Sequence, residues 1–229
     1  MRGWHTPEIK AYNIANGPGV RVAMKSRNRM TLAYARTLDP EFDLALGLAG
    51  MGGIEPEVCG MNYAEIKPYD IANGPGVRVS LFVSGCRRHC LHCFNSLAWE
   101  FDCGRPFTAE TERQLLSMID AGFINGFSVL GGEPFEPENQ TTLLNFLPKV
   151  KKNVWAWTGF QIEELGLDNP LLRFVDVLVD GPFIEAEKDL GLVFRGSRNQ
   201  RIIDVKRTLE TGKVTLKRGY ERGRNFPTN

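Results

Sequence analysis

Along residues 61–229, apolar positions fall into two patterns: short unbroken runs and longer stretches with the three-to-four spacing of a helix face. Residues 77–83 predict a buried strand. Thr108 predicts a helix cap, with Glu110 and Glu112 in the first turn, Leu115, Leu116, Met118 and Ile119 on one face, and Gly122 near the stop. Residues 127–130 predict a second strand that runs into Gly131-Gly132-Glu133-Pro134. The stretch 139–151 is apolar at Leu143, Leu144, Phe146, Leu147 and Val150, and Pro148 is expected to kink or end that helix. Two more strands are expected at 154–157 and 174–179, the last ending at Asp180-Gly181-Pro182. Strands separated by helices imply crossovers, and so an α/β fold with a mainly parallel sheet.

In such sheets ligands bind where the C-terminal strand ends converge. The chemically suggestive residues fall there: 86–93 after the first strand, 131–133 after the second, Trp157-Thr158-Gly159 after the third and Asp180 after the fourth. One rim is expected to collect them all.

Residues 8–22 recur as residues 65–79, with thirteen of fifteen positions identical; Ala11 stands against Pro68 and Asn13 against Asp70. The first copy continues into Ala23-Met24-Lys25-Ser26-Arg27, the second into the apolar Ser80-Leu81-Phe82-Val83. Two such sequences compete for one place in a sheet, and the second is expected to hold it, because only it leads into the downstream core. Three parts follow: an extension over 1–60 carrying the partial duplicate and expected to be poorly packed, a functional domain over 61–205 with Met61 as a natural start, and a basic tail over 206–229. The tail carries seven Lys or Arg against two Glu and reads as a solvated charged segment.

The 229 residues are 42% hydrophobic and 24% charged, enough for a substantial core. A formal net charge of +1 makes no electrostatic case for nucleic acid or a membrane as partner. The longest apolar stretch, 42–51, contains Asp43 and falls short of the roughly 20 residues a membrane span needs. No secretory signal is visible at the N-terminus. Five cysteines, three of them clustered, suit metal ligation in a reducing cytoplasm better than a disulfide framework; Cys59 and Cys103 are then spare thiols.

The cluster itself is Gly85-Cys86-Arg87-Arg88-His89-Cys90-Leu91-His92-Cys93-Phe94-Asn95. Its C-x3-C-x2-C spacing offers three thiolates where a closed four-iron cluster takes four, so one iron stays open, as catalytic metal sites require. Because His89 and His92 interleave with the cysteines, a Cys3His zinc site in a non-catalytic interaction module is also chemically feasible, although zinc sites usually pair two separated knuckles. The Gly131-Gly132 pair lets backbone approach a ligand closely, and Glu133 could accept hydrogen bonds from an ammonium group; a glycine pair after a strand is also a plain turn.

Taken together, the cysteine loop and Gly131-Gly132-Glu133 resemble the radical S-adenosylmethionine enzymes. Asn73-Gly74-Pro75-Gly76-Val77-Arg78 resembles the signature of glycyl-radical activating enzymes. Trp155-Ala156-Trp157-Thr158-Gly159-Phe160, Val177-Leu178-Val179-Asp180-Gly181-Pro182-Phe183 and Phe194-Arg195-Gly196-Ser197-Arg198-Asn199-Gln200 resemble the branch acting on anaerobic ribonucleoside-triphosphate reductase. The likeness covers about 61–205. It implies an incomplete TIM-like barrel of mainly parallel strands and an oxidoreductase with a [4Fe-4S] cluster and S-adenosyl-L-methionine as cofactors. By the same resemblance Cys86, Cys90 and Cys93 are catalytic and bind three irons, the cofactor's amino and carboxylate groups taking the fourth. His92, Cys93, Phe94 and Gly132 map onto cofactor-contacting positions, with Gly131 and Glu133 adjacent; Phe94 could equally serve the core. Asp180 could bond a ribose hydroxyl or simply orient a turn. The implied partners are the reductase's glycyl-radical subunit and a low-potential electron donor such as flavodoxin; the nearest alternative target is another glycyl-radical enzyme such as pyruvate formate-lyase.

Overall fold

The computed structural model describes residues Ala11–Tyr12, Arg21–Ser26, Arg29–Tyr34 and 60–220. The chain divides into two units, Met1–Glu55 and Pro56–Asn229. In the first, β1 (Ala11–Tyr12), β2 (Arg21–Ser26) and β3 (Arg29–Tyr34) form an antiparallel sheet in that order. Apart from Gly60, the remainder of the expected 1–60 extension, including the apolar stretch 42–51, lies outside the described residues.

The second unit is built on seven strands: β4 (Asn62–Asp70), β5 (Arg78–Val83), β6 (Arg105–Pro106), β7 (Gly126–Gly131), β8 (Asn153–Trp157), β9 (Val177–Asp180) and β10 (Arg201–Asp204). Their order is β10-β9-β8-β7-β5-β4-β6 in an open sheet. The central four, β5, β7, β8 and β9, are mutually parallel; β4, β6 and β10 join antiparallel at the flanks. The parallel arrangement expected from strands alternating with helices is this four-stranded centre. Of the duplicated segment, the second copy runs through β4 into β5 in the large sheet, while Arg21 and Val22 of the first begin β2.

Parallel strands are covered on both faces and so read as unbroken apolar runs, and β5 and β9 are buried at every position. Helices α1 (Ala109–Asp120), α2 (Pro137–Phe146), α3 (Ile162–Leu165) and α4 (Val205–Thr211) share one core with Leu81, Val83, Phe127, Val129 and Leu178 of the sheet. The opposite face carries Trp155, Val177, Val179 and Ile202 under Phe194 and Tyr220, whose rings meet Trp155 edge-on at 5.4 and 5.7 Å. The domain therefore continues past residue 205. In the stretch read as a solvated tail, α4 joins the core, Lys217 N–H bonds the Ile202 carbonyl, and Lys206 and Lys217 pair with Asp176 and Asp204.

Thr108 caps α1 as its sequence predicts, its hydroxyl accepting the Thr111 N–H. Helix α2 starts at Pro137, earlier than the apolar spacing suggests, because proline suits a first-turn position; Pro148 lies in the 3-10 turn that ends it. The signature ending in Arg78 sits at the N-terminal end of β5. Arg78 is buried there, donating to Ser128 Oγ at 2.7 Å and to the Phe127 and Asn153 carbonyls at 2.6 and 2.9 Å. Burial lowers its pKa to about 10. It closes the bottom of the sheet, with the length of β5 between it and the cysteines.

Candidate functional site

The cysteine loop leaves the C-terminal end of β5 and is held by its own backbone. Gly85 and Cys86 N–H groups bond the Ala98 and Trp99 carbonyls, both at 2.9 Å, and Cys93 N–H returns to the Cys90 carbonyl at 3.1 Å. His89 and His92, each directly before a cysteine, take left-handed φ values of 46° and 56°; such conformations persist only where surrounding structure enforces them. The His89 ring lies 4.6 Å from Trp99. Arg87 bonds Glu136 and Glu138 at the start of α2 and covers the Phe101 ring at 4.3 Å.

Two of the thiols, Cys86 and Cys93, are sheltered and accept hydrogen bonds. Burial pushes the Cys86 thiol up to about 11, with the nearby Glu133 charge adding to it, while the Arg88 and His89 N–H groups bond the sulfur and favour its ionised form. Burial also raises Cys93, whose sulfur accepts from the Asn95 N–H and the Trp99 indole. The Nε of Arg88 is enclosed between Cys86 and Cys90 in sequence and has no acceptor. Among the described residues no three His, Cys, Asp or Glu side chains converge on a single metal ion. An iron-sulfur cluster takes its thiolates on separate irons. A short loop of three cysteines with N–H donors on two sulfurs fits a cluster, whose potential depends on such bonds.

The other strand ends are joined to this loop and to one another by hydrogen bonds. Gly132 N–H bonds the Val83 carbonyl at 2.7 Å, Glu133 N–H bonds the Gly85 carbonyl at 2.8 Å, and Thr158 N–H and Gly181 N–H bond the Val179 and Phe160 carbonyls. A Cβ on Gly131 would lie 2.7 Å from Phe82 Cα, and one on Gly132 2.5 Å from the Gly85 oxygen. The glycine pair therefore brings protein backbone against protein backbone. Glu133 is fully buried: Oε1 accepts from Phe135 N–H at 3.0 Å and Oε2 from Gly159 N–H at 2.8 Å, and burial lifts its pKa to about 7. Asp180, also buried, accepts from Ile162 N–H and from two nitrogens of Arg201. Both carboxylates are thus engaged by the protein.

His92 and Phe94 stand apart from that network. Phe94 is 75% exposed, and His92 Nδ1 lies 3.7 Å from Glu185. Asn139 and Arg88, by contrast, tie the loops together without any sequence expectation attached to them. Asn139 is fully buried on α2 and donates to the Ser84 carbonyl at 2.9 Å and the Glu133 carbonyl at 2.8 Å. Its signal was a polar residue four positions before Leu143 on an otherwise apolar helix face. Arg88 gave no periodic signal.

Comparison with known proteins places these loops in a family context. The family model described as a 4Fe-4S single cluster domain matches residues 72–203. An anaerobic ribonucleoside-triphosphate reductase-activating protein of Pasteurella multocida is 41% identical over 152 residues, covering 62% of this chain and 96% of the relative. Proteins of the same name from Escherichia coli K12 (38% over 148 residues, 61% and 96%) and Enterobacteria phage T4 (39% over 149 residues, 62% and 93%) are similar to it as well.

Proposed function

We propose, from the premise that the chain belongs to the 4Fe-4S single cluster domain family and to the anaerobic ribonucleoside-triphosphate reductase-activating proteins, that it is a radical S-adenosylmethionine activase. Its target is the glycyl-radical subunit of anaerobic ribonucleoside-triphosphate reductase. The observation that carries the reading is the cysteine loop, three thiols in eight residues with N–H donors on two sulfurs at the C-terminal rim of four parallel strands. The matched domain and the relatives' names support the cluster and the target.

In this reading Cys86, Cys90 and Cys93 hold three irons of a [4Fe-4S] cluster, and the open sheet with helices on one face is the wall of an incomplete barrel. When bound at Cys86, Cys90 and Cys93, the cluster would supply the one-electron reduction of S-adenosyl-L-methionine needed for hydrogen-atom abstraction from a glycine of the reductase. The chain's part is to hold and shelter. The amides of Arg88, His89 and Asn95 and the Trp99 indole stabilise anionic sulfur. Gly131, Gly132 and Glu133 keep the second strand end against the cysteine loop, and Asp180 keeps the fourth in line through Arg201. His92 and Phe94, exposed on the same loop, are the side chains left to meet the cofactor. Residues 61–205 carry the chemistry, in the cytoplasm, with electrons from a low-potential donor such as flavodoxin.

The test is anaerobic purification, reconstitution with iron and sulfide, and assay of reductase-dependent S-adenosylmethionine cleavage together with a glycine-centred electron spin resonance signal. Replacing any one of Cys86, Cys90 and Cys93 by alanine should abolish both. A wild-type protein fully loaded with cluster that yields neither product nor radical refutes the reading, as does a protein that takes up zinc in place of iron.

A further inference from the structure

Between Cys86 and Cys90 the ligand spacing asks only for three residues, yet each of the three is anchored to a different neighbour. Arg87 reaches α2 and His89 stacks on Trp99. Arg88 reaches the loop between β8 and α3: its guanidinium donates to the Gly159 carbonyl and, at 2.9 Å, to Glu164, and lies 4.2 Å from the Phe160 ring centroid.

That contact closes a circuit. Gly159 accepts from Arg88 through its carbonyl and donates through its N–H to Glu133 Oε2 at 2.8 Å; Glu133 N–H in turn bonds the Gly85 carbonyl at 2.8 Å, one residue before Cys86. The loops after β5, β7 and β8 are therefore linked in one ring, and the Arg88 side chain is the only member of that ring contributed from between the cysteines. A planar, forked cation suits the position because it stacks on Phe160 while bonding a carbonyl and a carboxylate together. Gly159 keeps its backbone close to it: a Cβ there would lie 3.2 Å from Arg88 Nε.

We propose that Arg88 is a positioning residue for the iron-binding loop, fixing the Cys86-to-Cys90 span against the loop between β8 and α3 before any cluster is bound. The inference rests on the cluster-binding reading above. Arg88 touches no reacting atom in it; its effect runs through the placement of the two thiolates.

The test uses the full chain, in metal-free and anaerobically reconstituted forms, with Arg88→Gln, Arg88→Lys, Phe160→Leu and, as a surface control, Arg113→Gln. Hydrogen exchange across 158–161 should quicken about 10-fold in Arg88→Gln, since a charge-assisted bond to a loop carbonyl is lost. The reduced cluster should load the same iron but give a shifted or broadened electron spin resonance signal. S-adenosylmethionine cleavage should fall about 10-fold. Lysine, which keeps the charge without the stack, should restore only part of the signal, and Phe160→Leu should shift it in the same direction. If Arg88→Gln fails to fold, Arg88→Lys and Phe160→Leu carry the test. Wild-type exchange and resonance in the substituted proteins overturn the proposal. A wild-type chain that binds no cluster overturns the functional reading instead, and the exchange in metal-free protein still reports on the clamp.

Discussion

Replacing Gly132 by alanine separates two explanations for the glycine pair. One holds that Gly132 is there to let a ligand approach; the other, that it lets β7 and the cysteine loop approach each other. The new Cβ would lie 2.5 Å from the Gly85 oxygen and 2.8 Å from the Ala98 oxygen. Both are backbone carbonyls already fixed by hydrogen bonds from Glu133 and Gly85 N–H groups, so neither retreats without breaking a bond. Overpacking of this kind costs about 1–3 kcal/mol, and weakening one or two of the bonds adds about 0.5–1.5 kcal/mol each. We expect a loss of about 2–4 kcal/mol in total. Gly122→Ala is the matched control, because a Cβ there meets nothing within 4 Å.

The assay is urea unfolding of the metal-free chain followed by circular dichroism, comparing midpoints at unchanged slope. Gly132→Ala should move the midpoint down with no cofactor present, and Gly122→Ala should leave it within error. An unshifted midpoint in metal-free Gly132→Ala, with S-adenosylmethionine binding lost after reconstitution, would refute the steric argument and restore the ligand explanation.

Asn139→Ala removes two donors from the buried carbonyls of Ser84 and Glu133 and should destabilise the chain by about 2–4 kcal/mol; Asn139→Asp should be at least as damaging, since an ionised carboxylate has no hydrogen to donate. Thermal melts of both variants check this. Glu133 gives a pH signature. Its folded pKa is raised from 4.5 to about 7 by burial, so the folded chain keeps a proton that the unfolded chain loses. Its contribution is fully present below pH 4.5 and is lost as pH rises through about 7, a total of about 3 kcal/mol. In Glu133→Gln that decline should vanish from the metal-free stability profile measured between pH 4.5 and 8; an identical slope in both proteins counts against it.

What could be read from the sequence was what neighbouring residues encode. The cysteine spacing, the Thr108 cap and the central strands are local patterns, and all three appear in the fold. The flanking strands were not legible. Strand β4 carries Glu65, Lys67 and Pro68 and never forms an apolar run; its pairing with β5 shifts register between Lys67 and Asp70, which accommodates a proline that has no N–H to give. Strand β10 is only four residues long and antiparallel to β9, a pairing that depends on the loop between them. The roles of Glu133 and Asp180 were hidden for a different reason. Their charges invite a ligand on the page, but their partners Gly159 and Arg201 lie 26 and 21 positions away. Burying a carboxylate unpaired costs so much that the fold supplies donors of its own.

The cysteine loop divides in two. From Gly85 to His89 each residue is tied to a neighbouring loop, through backbone bonds at Gly85 and Cys86 and through side chains at Arg87, Arg88 and His89. From Leu91 to Phe94 the large side chains face outward, with Leu91 71% and Phe94 75% exposed. On the proposed function Cys86 in the anchored half and Cys93 in the exposed half both hold iron, with Cys90 between them, and the exposed Leu91 and Phe94 side chains are the ones left to cover a bound nucleoside and then the partner's glycine segment. Isolated exposed apolar side chains are ordinary on a protein surface. Leu91 and Phe94 differ in bracketing the third cysteine, where their burial would exclude water from the radical chemistry and so serve the reaction as well as the binding.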